Sequence, residues 1–311
     1  MTNVPTTLRI VRASSREAQD LLGPRQTELA AAGFKVLYDE TPADPTWRYT
    51  AASIADRAKA VTDALLDDSQ AVLCARGGYG ASDLLELIPW DKIRQRPWKP
   101  LVGFSDTSAL HSALYTLLGW PGLHAPMPAT VLWGQQGRAD VDQLLGLLRD
   151  WPRQGTWQGG IAVRPIGTTA AHAARAEGVQ GTLFGGCLSV LTNMIGTPYF
   201  PKSLAGHVVF CEDTGENPGR LLRYFNQWVQ SGALRGAQAF VVGHLRGLGD
   251  NVEDNAPFAY ERFAAVSPVP VFASADFGHT SPNYPLAIGS KATLSNGRLT
   301  WRLALPKQLN V

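Results

Sequence analysis

Cysteine is scarce in this chain. Only Cys74, Cys187 and Cys211 occur among 311 residues. An odd count without close spacing excludes a disulfide framework and the paired-cysteine zinc patterns. Long apolar runs are missing too. The two longest uncharged stretches, Thr107 to Gly137 and Val179 to Pro201, are broken by glycine, proline and polar residues, so neither reads as a membrane span. Met1 to Asp20 lacks the apolar block of a signal peptide. A soluble cytoplasmic protein is the expectation. Charge of one sign is absent: 28 Lys and Arg balance 26 Asp and Glu, for a net +2. That gives no electrostatic reason to expect nucleic acid or an anionic membrane as partner. No His-Glu-x-x-His or His-x-His pattern exists, so neither metal nor cofactor is expected. Internal repeats and low-complexity tracts are also lacking.

What is present is the make-up of a folded protein, with 45% hydrophobic and 17% charged residues, at a length that suits two domains. In the first half, short apolar runs (Leu8 to Val11, Phe34 to Tyr38, Ala71 to Ala75, Leu101 to Phe104) alternate with helical patterns (Arg16 to Ala32, Ala51 to Leu66, Ala81 to Leu87, Thr107 to Leu118). Such alternation predicts a parallel sheet flanked by helices. The second half carries more short strands, among them Ile161 to Arg164, Val208 to Cys211, Ala239 to Val242 and Val271 to Ala273, with helices at Leu188 to Ile195, Pro218 to Gln230 and Pro257 to Ala265. The reading is an N-terminal domain over 1–135, a linker over 136–165 that carries one helix, and a C-terminal domain over 166–311.

Four segments carry possible chemistry. Gly103-Phe104-Ser105-Asp106-Thr107 joins a strand to a helix. A serine there can sit on a sharp turn beside the N–H of Asp106, as in a nucleophile elbow; a plain helix N-cap would show the same residues. Arg76-Gly77-Gly78-Tyr79-Gly80 follows a strand, and its glycines admit close backbone approach to a ligand. It is neither a P-loop nor a dinucleotide fingerprint; a tight turn reads the same way. Glu212-Asp213-Thr214-Gly215-Glu216 sets carboxylates at a strand end, where one can orient an imidazole or simply favour a helix start. Gly278-His279, in a loop bounded by glycine and proline, offers a base suited to neutral pH. His111 and His124 are weaker candidates, and His172, His207 and His244 have no suggestive neighbours.

Together these segments, with His124-Ala125-Pro126-Met127, resemble the LD-carboxypeptidase family, which includes the microcin-immunity peptidases. The resemblance spans nearly the whole chain. It implies a flavodoxin-like N-terminal α/β domain with a parallel sheet and a smaller β-rich C-terminal domain of swivelling type. It implies Ser105 as nucleophile, Glu212 orienting the base, and His279 as that base. Gly78 and Asp106 would provide the oxyanion hole. Arg76, Tyr79 and His124 are the candidates for contacting substrate. The implied substrate is a muropeptide tetrapeptide, cut between the L-centre of its diamino acid and terminal D-Ala in cell-wall recycling, by a homodimer. Three departures stand out. Arg12-Ala13-Ser14 replaces Ala-Pro-Ser, Cys187 replaces the Asn of Gly-Gly-Asn-Leu-Ser, and Ala125 replaces a Gly. They bear on substrate more than on reaction.

Four readings compete with this one. A microcin-immunity-type amidase would use the same triad on aminoacyl-nucleotide conjugates, stacking a base on Trp133 or Trp157. An α/β-hydrolase esterase shares the residue order but needs a glycine where Thr107 stands. A binding protein would have no need for the three residues to converge. Glu216 is the rival for the acid.

Overall fold

The computed structural model describes residues 5–16, 19–38, 49–150, 155–167, 178–247 and 252–304. His172 lies outside them. The strands are β1 Thr7–Val11, β2 Lys35–Tyr38, β3 Ala71–Cys74, β4 Leu101–Gly103, β5 Gly122–His124, β6 Thr156–Ala162 and β7 Arg164–Ile166. They continue with β8 Val179–Cys187, β9 His207–Thr214, β10 Ala239–Arg246, β11 Val271–Gly278, β12 Leu286–Ile288, β13 Lys291–Ser295 and β14 Arg298–Ala304. The first sheet has the order β12-β5-β4-β3-β1-β2. Strands β1 to β5 run parallel and β12 joins antiparallel, with Leu286 opposite His124. The order 2-1-3-4-5 is the doubly wound, flavodoxin-like arrangement, whose ligands bind beyond the carboxyl ends of the strands.

The helix Ile54–Leu66 illustrates how this layer forms. Ser53 caps it by accepting the Asp56 N–H at 3.1 Å, and Ala58, Val61, Ala64 and Leu65 turn inward. The segment 81–87 makes only a 3₁₀ turn, Ser82–Leu84. The Pro89 that follows disfavours helical backbone at Ile88 and stops the turn early.

The second sheet has the order β6-β14-β13-β8-β9-β10-β11-β7. Its centre, β8 to β11, is parallel and its flanks are antiparallel. It curls until its ends almost meet: the Ala162 N–H reaches Asp276 Oδ2 at 2.7 Å, and Ser274 Oγ donates to the Ala162 carbonyl at 2.7 Å. The stretch read as a linker carries the expected helix, Ala139–Asp150, and also strand β6 of the second sheet, which begins at Thr156, ahead of the strand expected from Ile161. Strand β8 has no counterpart in the sequence reading. Its Gly185 faces the Phe210 carbonyl so closely that an added Cβ would lie 1.9 Å away, and glycines of this kind erase the alternation that marks a strand. Among the described residues no helix is long and apolar enough to cross a membrane.

Candidate active site

Ser105 follows β4 and opens the turn into the helix Ser108–Leu118, with φ of 64°. A left-handed serine is strained backbone, and such strain gathers at functional sites. The turn packs against the glycine loop after β3. A Cβ on Gly77 would sit 2.7 Å from Ser105 Cβ, 2.8 Å from its Oγ and 3.3 Å from the Asp106 N, so only glycine fits there. Asp106 Oδ2 accepts the Ala81 N–H at 2.8 Å, tying elbow to loop. Burial pushes that carboxyl's pKa up against this bond. Arg57 holds the loop from beneath. Its guanidinium is 1% exposed and donates to the carbonyls of Ala52, Ala13 and Gly80 at 3.1, 2.8 and 2.7 Å.

The second sheet brings the partners. His279, just past β11, places Nε2 2.9 Å from Ser105 Oγ and Nδ1 2.5 Å from Glu212 Oε2. Glu212, near the end of β9, is fully buried. Burial alone would raise its pKa, but the charge and hydrogen bond of His279 carry it below the ordinary value. Burial likewise disfavours imidazolium, yet the facing Glu212 raises His279 above its ordinary value. The two shifts agree in direction: each partner stabilises the other's charge. Gly278 permits the approach. At φ 117°, its added Cβ would lie 3.0 Å from Glu212 Cβ.

The three residues read from sequence as nucleophile, acid and base thus stand in one hydrogen-bonded line. Glu216 does not join it; its carboxylate pairs with Arg220 at 2.5 Å. Gly78, at φ 115°, packs on Ser15, whose Oγ would be 2.2 Å from an added Cβ. The contact with Ser105 is made by its neighbour Gly77. Tyr79 is exposed at the rim beside Tyr49, with ring centroids 6.2 Å apart. Arg76 donates to the Arg16 carbonyl at 2.9 Å.

His124 is corrected by the structure. Its ring is 0% exposed among Phe104, Phe210 and Phe277, behind the triad, and has no face for a ligand. Burial lowers its pKa to about 4. Trp133 and Trp157, the candidates for stacking a base, are 2% and 1% exposed. They are core, and Trp133 donates to Glu28 at 3.1 Å.

Several supporting residues escaped the sequence reading. Asp213 accepts the N–H groups of Ser189 and Thr214, each at 2.8 Å, and its pKa rises to about 6 through burial and the neighbouring Glu212. Ser108 Oγ accepts the Cys187 N–H at 2.8 Å, joining the elbow helix to the second sheet. Asn283 accepts the Gly278 N–H at 3.0 Å and donates its own N–H to Asp140 at 2.8 Å. Only Asp213 carried a signal, its place beside Glu212. Among the described residues no cluster of three His, Cys, Asp or Glu side chains stands ready to hold a metal.

Comparison with known proteins shows the family of the chain. A model described as the LD-carboxypeptidase N-terminal domain matches residues 9–125, and one described as the C-terminal domain of the same family matches residues 180–294. A putative carboxypeptidase of Streptomyces coelicolor is 33% identical over 291 residues, covering 89% of this chain and 90% of the relative. The murein tetrapeptide carboxypeptidase of Pseudomonas aeruginosa is 31% identical over 269 residues, 82% of each. In fold, the chain is similar to the muramoyltetrapeptide carboxypeptidase of Oxalobacter formigenes, with TM-score 0.78 at 24% identity over 96% of this chain and 98% of that one. It is also similar to a microcin C7 self-immunity protein, with TM-score 0.81 at 19% identity over 98% of both chains.

Proposed function

Because the chain belongs to the LD-carboxypeptidase family, we propose that it hydrolyses murein tetrapeptides at the bond between the L-centre of the diamino acid and terminal D-Ala, with Ser105, His279 and Glu212 as the triad. The observation that carries this reading is the unbroken line from Ser105 Oγ through the imidazole to Glu212. Ser105 Oγ attacks the scissile carbonyl while its proton passes to His279 Nε2. Glu212 accepts the Nδ1–H, fixes the tautomer and stabilises the imidazolium. The oxyanion develops against the N–H groups of Asp106 and Gly78, each donor contributing roughly 3 kcal/mol. The lack of a side chain on Gly77 keeps that space open. His279 then protonates the departing amine, and water repeats the cycle on the acyl-enzyme.

A homodimer working in the cytoplasm belongs to the same reading, and light scattering reports its first half. The nucleotide-conjugate alternative loses support, since both tryptophans offered for base stacking are buried. The test is mass-spectrometric detection of D-Ala released from purified tetrapeptide. Release by the wild type and none by Ser105→Ala is the expected outcome. Comparable turnover by the variant would overturn the nucleophile.

A further inference from the structure

A carboxypeptidase must hold a free carboxylate, and the triad itself provides no cation for it. We propose that Arg246 is the anchor for the terminal carboxylate of the substrate, an inference that rests on the carboxypeptidase reading above. Arg246 is the last residue of β10, in register with Thr214 two residues beyond Glu212. Its side chain is exposed, and Nη1 donates to the His279 carbonyl oxygen at 3.4 Å. That bond is long and has a neutral acceptor, whereas a guanidinium matches a carboxylate with two parallel charge-assisted bonds. Among the described residues no carboxylate pairs with Arg246.

The neighbouring cations are already engaged. Arg220 pairs with Glu216 at 2.5 Å, Arg57 is buried on three carbonyls, and Arg76 reaches back to the Arg16 carbonyl. Among these side chains it is Arg246 that donates to the His279 backbone, without a carboxylate partner among the described residues, and the imidazole feels its charge.

The chemistry asks for a cation at this place. His279 protonates the leaving amine, and in an α-amino acid the carboxylate lies two bonds beyond that nitrogen. The anchor must therefore flank the imidazole on the leaving-group side. The backbone there is kept free of side chains: a Cβ on Gly247 would come within 3.0 Å of the Gly215 N, and Gly278 lies against Glu212. Arg246 stands at the carboxyl end of β10, a central strand of this sheet.

The experiment compares two tetrapeptides, one ending in D-Ala and one in D-alaninamide, on the wild type, Arg246→Ala and Arg246→Lys, with kcat and KM measured separately. The wild type is expected to favour the acid, and Arg246→Ala to lose about 30-fold or more in kcat/KM on the acid, mostly through KM. On the amide the two proteins should be alike, and the lysine variant should recover part of the preference. Titration of the acid tetrapeptide into Ser105→Ala, with and without Arg246→Ala, should show the same loss in Kd without turnover. An unchanged acid-to-amide ratio in Arg246→Ala, or its collapse in Arg76→Ala instead, would overturn the anchor while leaving the carboxypeptidase reading intact. A wild type that cleaves neither peptide would sink that reading, and the anchor with it.

Discussion

Replacing Glu212 by Gln removes one charge from the centre of the site while keeping its shape. The carboxylate is 0% exposed and accepts His279 Nδ1–H at 2.5 Å. An amide oxygen can take the same bond, but its NH₂ then occupies the place of Oε1, which is buried without a hydrogen-bond partner. The charge matters more. With about 4 Å between charge centres and an effective dielectric of about 20, the lost attraction for imidazolium is on the order of 4 kcal/mol. That corresponds to about 10³-fold in rate, and poorer control of the tautomer extends it towards about 10⁴-fold, as for other triads. The loss should fall on kcat, because Glu212 has no surface for substrate to touch. Steady-state D-Ala release from the tetrapeptide measures it. Glu216→Gln, which disturbs the Arg220 pair and a hydrogen bond from Tyr224 but nothing in the triad, should keep kcat of wild-type order. The reasoning is refuted if Glu212→Gln stays within about tenfold of wild type, or if Glu216→Gln is the inactive variant.

Three further outcomes follow from the same geometry. His279 must be neutral to take the serine proton, and its pKa is raised above the ordinary 6.5. Activity should therefore fall as pH drops through a midpoint above 6.5, and a kcat/KM profile with its acid limb clearly below that value contradicts the pairing. Ser105 holds a left-handed conformation, so Ser105→Gly should be more stable than Ser105→Ala by about 1 kcal/mol; equal melting temperatures would mean that the elbow stores no strain. His124 is buried with a folded pKa of about 4 against an unfolded 6.5. The unfolded chain binds the proton first, so stability is intact above 6.5 and is lost as pH falls towards 4, on the order of 1.4 kcal/mol per unit. His124→Phe should cut the slope of thermal stability across that window by about half, since His111, with a folded pKa of about 3, contributes a like trend of its own; an unchanged slope would count against the buried neutral ring.

The parallel first sheet was legible because strands such as Ala71–Cys74 are continuous apolar runs between helices with inward-facing rows. The Ser105 elbow, the carboxylates after Val208–Cys211 and the loop at His279 were legible for a related reason. Each lies at the end of a strand that can be read locally. What stayed hidden is non-local. Strands β5 and β12 have three residues each, and β12 joins the sheet only by pairing with β5 across 162 residues of chain, Leu286 opposite His124. His124 itself shows the limit of reading side chains one at a time. Its neighbours in sequence suggested a pocket wall, but Phe210 and Phe277, from far along the chain, close over it. Arg57 looks like any charged helix residue until three carbonyls are seen to surround it.

These hidden contacts explain why a split site holds its geometry. Ser105 belongs to one sheet, Glu212 and His279 to the other, and a hydrogen bond of 2.9 Å must be kept across the gap. One bridge crosses near it: Ser108, one turn after the nucleophile, accepts the Cys187 N–H. Within the second sheet, the Ser189 N–H two residues on is held by Asp213, whose position is adjacent to the acid. The loop carrying His279 is clamped by Asn283, which takes the Gly278 N–H and leans on Asp140, and by Ser281 Oγ, which accepts the Gln136 N–H at 2.9 Å. Asp140 and Gln136 lie in the stretch that reads as linker from sequence. The same stretch therefore holds the histidine loop at two points just past His279, Gln136 on Ser281 and Asp140 on Asn283.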